Sequence, residues 1–268
     1  MSDPFSERPS ERRRSVSPHM RWYNPSGDGA AISMPKIVAI LLGLMVAIFV
    51  IQLFLSDRAN FWVDYTMGLS PRRFFARLEG GEDSFTIMTP LFTHIFLHGN
   101  FAHLLFNGLW LIVFGTGVAR RMAVESEDGG DRFANNVLFL TFFLASGVVG
   151  ALFFLIPNKD SIPPLIGASG AISGLMAGGM RIALGRDPMI LPGQGALTSM
   201  FARPVLIASA VYIGINILTG LGVVMGGMGK GLSIAWEAHI GGYVFGLLTF
   251  PLFDGLVRRP RVAAPPWQ

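Results

Sequence analysis

Six residues of this chain have types and spacing that could do chemistry. Ser169 lies in "GASGAISGLMAGG", a glycine-lined apolar stretch where a hydroxyl has little water to bond. His103 and Asn107 are four apart in "THIFLHGNFAHLLFNGLW", hence on one helical face, and His98 precedes them. His239 opens "AHIGGYVFG", and Gly167 stands two residues before Ser169. A serine hydroxyl is a weak nucleophile until a base removes its proton, and neutral imidazole is the usual base. Acyl transfer also needs donors aimed at the developing oxyanion. His103, the Asn107 amide and the Ser169 N–H are suited to supply them.

Each residue has a plainer reading. A serine among glycines packs helices, an intramembrane histidine bonds a neighbouring helix or relays protons, and a His–Asn pair caps or cross-links helices. His94 and His98 are spaced like a metal pair, but no carboxylate lies at a fitting distance in sequence. His98 is expected to brace the loop before the helix. Glu237 is two residues from His239, on another face, and would orient it poorly. The chemical reading therefore depends on whether the elements bring these groups together.

Those elements are membrane spans. Of 268 residues 51% are hydrophobic and 14% charged, and mean hydropathy is positive; soluble domains carry about 25% charge. Cysteine is absent, which excludes disulfides and thiolate metal sites. Basic residues gather in the tails and short loops rather than interleaving with aromatics, so nucleic acid is not an expected partner. Residues 1–33 read as a disordered polar tail and 257–268 as a second short tail, flanking one domain over 34–256. Six spans are expected: Ile37 to Leu55, Phe101 to Val118, Asn136 to Ile156, Leu165 to Leu184, Val205 to Val224 and Leu232 to Phe253. Each is close to the ~20 residues that cross the hydrocarbon. Segment 56–93 is mixed, and "PRRFFARLEGGEDSF" suits an amphipathic helix at the membrane surface. Lys and Arg favour the side holding both termini, which the positive-inside rule makes cytoplasmic.

With that topology, spans two, four and six start on the external side. Ser169, four to five residues into span four, would lie roughly 7 Å deep, and His239 roughly 10 Å deep in span six. Small-residue faces give the spans a reason to meet: Gly170, Gly174 and Gly178 on one, Ala238, Gly242 and Gly246 on the other.

The three motifs together resemble those of the rhomboid family of intramembrane serine proteases, over residues 37–253. His98, His103 and Asn107 match its pattern at span two. Gly167, Ala168, Ser169 and Gly170 match GxSG, and Ala238, His239, Gly242 and Gly246 match AHxxGxxxG. The resemblance implies an all-α, six-helix membrane bundle and a Ser169–His239 dyad without a triad acid. It implies an oxyanion site from His103, Asn107 and the Ser169 N–H, with no metal or cofactor. It further implies a cavity open to the external side and capped by the loop after span five, and transmembrane proteins as substrates. A bacterial inner membrane is the implied location. Two departures stand out. The Trp-Arg pair of many members is replaced by "FTIMTPLFTH", and Ser173 stands where an aromatic often stacks on the catalytic histidine. A non-catalytic relative that binds membrane helices, and a small transporter with a histidine relay, are the alternatives.

Overall fold

A computed structural model describes residues 34–122, 129–184, 195–222 and 234–257. The two tails and the loop after span five, expected to cap the site, lie largely outside these residues. The described elements are helical, without a strand among them. The first is α1 (Lys36–Leu53). Three short helices follow in the segment expected to lie at the membrane surface: α2 (Asp57–Met67), α3 (Pro71–Glu79) and α4 (Ser84–Thr93). Each start is legible locally. Ser56 caps α2 by accepting from Ala59 N at 3.3 Å, Pro71 opens α3, and Asp83 caps α4 by accepting from Thr86 N at 3.0 Å.

Span two is a composite of α5 (Phe101–Trp110), a π-helical turn (Leu111–Gly115) and α6 (Thr116–Met122). Then come α7 (Gly129–Leu155), α8 (Ser169–Ala183), α9 (Arg203–Gly220) and α10 (Trp236–Leu256). Among the described residues, four helices are long and apolar enough to cross a membrane: α1, α5 through α6, α7 from Phe133, and α9. The remaining two expected spans are the central ones. α8 has only 15 residues, and α10 is diluted by Glu237, His239, Asp254 and its glycines.

α8 starts four residues later than hydropathy suggested. Pro164 and Leu165 are not helical. Leu165 instead exchanges two backbone hydrogen bonds with Leu69 in an isolated antiparallel bridge, at 3.1 and 2.9 Å. Gly167 then takes φ +111°, which only glycine adopts without strain, and reverses the chain so that the helix begins at Ser169. The same bridge, with Arg72 N donating to Ser161 O at 3.1 Å, ties α2–α4 to the bundle without a Trp-Arg pair. Thr93 Oγ1 adds a bond to Met67 O at 2.6 Å.

α8 is the axle of the bundle: nine of its 15 residues are buried, Gly170, Gly174 and Gly178 among them. α10 lies against it backbone to backbone. A Cβ on Gly242 would collide with the Gly170 carbonyl, and one on Gly246 would lie 2.5 Å from Gly174 O. α7 closes the third side, where a Cβ on Gly150 would come within 2.5 Å of Ala238 O. Such contact is how helices associate in lipid, where apolar burial gives little net drive. At the far end, Arg121 donates to Asp254 from Nε and Nη2, at 2.6 and 2.7 Å, tying α6 to α10. Breaking a buried pair of this kind by removing one partner costs about 3–5 kcal/mol. α1 and α9 are peripheral, with only 17% of each span inside the protein.

The packing predicts a sharp contrast between glycines. Gly242→Val should cost about 3 kcal/mol or more, since overpacking here meets main chain rather than a movable side chain. Gly214→Ala, where a Cβ meets nothing within 4 Å, should be neutral or stabilise α9 by up to about 1 kcal/mol. Thermal unfolding of the two purified variants in the same detergent measures the difference.

Candidate active site

The α8–α10 contact carries Ser169 and His239 to one point. Ser169 is the first residue of α8 and His239 lies in the first turn of α10. His239 Nε2 is 2.7 Å from Ser169 Oγ. The two side chains therefore share a layer because both helices start there, rather than because they descend equally far into longer spans. Gly170, immediately after the serine, is the residue whose carbonyl Gly242 abuts. The approach of the two chains and the Ser–His hydrogen bond are consequences of one contact.

α5 supplies the opposite wall. Asn100 caps it by accepting from His103 N at 2.8 Å, which fixes where the helix starts and so where His103 and Asn107 fall. A Cβ on Gly167 would sit 2.5 Å from His103 Nε2 and 3.6 Å from Asn107 Nδ2. The missing side chain is what lets the loop before Ser169 lie against these two donors. Gly167 N donates to His94 O at 2.8 Å, pinning that loop to the turn after α4. Asn107 is buried and its amide donates to His103 O at 3.1 Å. A carboxamide NH2 has two hydrogens, so one remains for another acceptor. The Ser169 N–H sits at the first position of α8, where backbone donors have no acceptor within the helix and the helix dipole is positive.

His98 is buried, with Nδ1 3.3 Å from Phe96 O. Its ring meets that of His103 edge to face, with centroids 5.1 Å apart. Nδ1 thus ties the ring to its own loop, and the ring lies against that of His103. Beyond it a cavity of about 430 Å³ opens between α1, α2 and the start of α5, lined by Gln52, Asn60 and Asp64 as well as His98. Glu237 points elsewhere: its carboxylate accepts from Asn158 Nδ2 at 3.1 Å. Among the described residues no group of His, Asp or Glu is arranged to hold a metal ion.

Sequence reasoning missed the residues of α9. Asn216 Oδ1 lies 2.8 Å from His239 Nδ1, on the other side of the ring from Ser169. One turn earlier, Tyr212 OH is 2.7 Å from Ser173 Oγ, and Ser173 in turn donates to Ser169 O at 2.6 Å. Tyr212 stacks on Tyr243 of α10, with centroids 4.5 Å apart. The small residue at 173 thus admits a tyrosine from a neighbouring helix. The available signal was a lone asparagine in the apolar run "VYIGINIL" with a tyrosine four residues before it.

A comparison with curated proteins returned no match. The family model described as the Rhomboid domain matches residues 86–253, from α4 to α10. The match starts later than the 37–253 resemblance, leaving α1 to α3 outside it, but it covers more than half of the chain and contains every group around Ser169. With its all-helical architecture and apolar helices, the chain belongs to the rhomboid family of multi-pass membrane proteins.

Proposed function

We propose that this protein is an intramembrane serine endopeptidase that cleaves transmembrane segments of other membrane proteins. The observation that carries the reading is the 2.7 Å contact between His239 Nε2 and Ser169 Oγ, in a chain of this family. Ser169 is the nucleophile and His239 its base. The Oγ proton passes to Nε2 while Oγ bonds the substrate carbonyl carbon, and the π pair moves onto oxygen. The resulting oxyanion is held by the Ser169 N–H at the positive end of α8, by the free hydrogen of the Asn107 amide and by His103. The imidazolium then returns its proton to the departing amine. Water, activated by the same imidazole, releases the acyl group.

In this reading the chain has six spans with both termini cytoplasmic, α8 and α10 being the short and the diluted one, and the Ser169 layer lies in the outer half of the bilayer. A bacterial inner membrane is the location that fits this form. A helix-binding relative without activity would need neither an aligned Ser–His pair nor a side-chain-free cradle at Gly167.

Labelling of the purified protein with a fluorophosphonate tests the reading. Wild type should label at Ser169, and Ser169→Ala and His239→Ala should not, with all three folded. A folded wild type that stays unlabelled in detergent and again in lipid sinks the peptidase and favours the helix-binding relative. Asn107→Ala should slow cleavage about 10²-fold, as loss of one oxyanion donor does. Full activity in that variant would remove Asn107 from the site. Gly167→Ala places a methyl against His103 at a backbone angle that disfavours side chains. It should lower activity about tenfold, since relieving a strain of about 1–2 kcal/mol shifts the Gly167 loop off His103 and Asn107; the cleavage rate of the folded fraction reports it.

A further inference from the structure

We propose that Asn216 of α9 is a positioning residue that completes a Ser169–His239–Asn216 relay, supplying the orientation that a serine–histidine pair alone lacks; this rests on the peptidase reading above. The argument begins with a backbone carbonyl. Asn216 Nδ2 is 2.9 Å from Tyr212 O, one turn back on the same helix. A carbonyl only accepts, so the amide must turn its NH2 toward Tyr212 and its oxygen toward His239. That oxygen also only accepts. At 2.8 Å from it, His239 Nδ1 must carry the proton. A neutral imidazole has one such proton, so Nε2 presents a bare lone pair to the Ser169 hydroxyl 2.7 Å away. The tautomer needed in a base is thus fixed by the helical turn between Tyr212 and Asn216.

The same two residues set the register of α9. They are four apart and share a face. Tyr212 meets Ser173 of α8 and Asn216 meets His239 of α10. Asn216 is buried in a span where a polar side chain is costly, and both its groups are used. The aromatic stack that Ser173 cannot provide is replaced by a hydrogen bond from a third helix. When Ser169 attacks, its proton moves to Nε2 and Nδ1–H stays on Asn216 Oδ1. Asn216 gains and loses no proton; its amide dipole faces the cation that forms and keeps the ring from turning.

The test uses the full chain. NMR of protein carrying isotope-labelled histidine nitrogens, with the His239 signals assigned by their loss in His239→Gln, reads the tautomer directly. Wild type should show protonated Nδ1 and bare Nε2. Asn216→Leu, similar in volume but without an acceptor, should redistribute the proton between the two nitrogens. It should also lower the limiting rate of fluorophosphonate labelling by up to about tenfold, the scale of the one hydrogen bond it removes from His239. The half-saturating probe concentration should stay unchanged, a split that a merely loosened bundle would not give. A wild type with the proton on Nε2 overturns the proposal and needs no variant to fold. So does an Asn216→Leu protein that labels within about twofold of wild type, given that one hydrogen bond is worth up to about tenfold. A wild type that never labels removes the peptidase instead, and leaves the tautomer measurement to decide whether Asn216 orients His239.

Discussion

The bundle depends on the backbone contact between α8 and α10. In water, burial of leucine and phenylalanine would suffice to hold two helices together; in lipid the tails are equally apolar and only close contact distinguishes partner from solvent. Gly170, Gly174, Gly242 and Gly246 remove the side chains that would keep the axes apart. Everything chemical in the molecule lies at the open end of that contact.

The contact brings the helices together, and their starting points aim the side chains. Ser169 is the first residue of its helix because Gly167 turns the chain with a positive φ. His103 is in the first turn of α5 because Asn100 caps it. His239 is in the first turn of α10. A group in a first turn is held by its helix yet sits beside backbone N–H donors that the helix leaves unused. The serine and its neighbours thus obtain polar partners from the helix ends themselves.

What could be read from the sequence was what is periodic or local. Glycines at every fourth position announce a contact face, and His103 with Asn107 announce another. Asn100 reads as a cap because capping is decided within four residues. Hydropathy starts the fourth span at Leu165, four residues before α8 begins at Ser169. The competing signal, an isolated bridge from Leu165 to Leu69, joins residues 96 apart in the chain and leaves no local trace. Asn216 escaped for the same reason: its partner is 23 residues away, and a lone asparagine on a peripheral helix states no direction. The missing aromatic at Ser173 did pose the right question, which was what holds His239 instead.

The substituent at the end of that relay is an amide, not a carboxylate, and this bears on how the protein is made. α9 has the lowest hydropathy of the four described helices long and apolar enough to cross the bilayer, 1.4 against 1.6 to 2.6. A charged aspartate in a span is costly to insert, up to about 2.5–3.5 kcal/mol at the span's centre, and α9 has little surplus to offset it. An asparagine gives an imidazole the same acceptor oxygen with no charge to desolvate. The helix can enter the lipid as an ordinary hydrophobic segment during synthesis and meet its histidine only after α10 has followed. The polarity that orders the site is thereby kept within what the insertion machinery will pass.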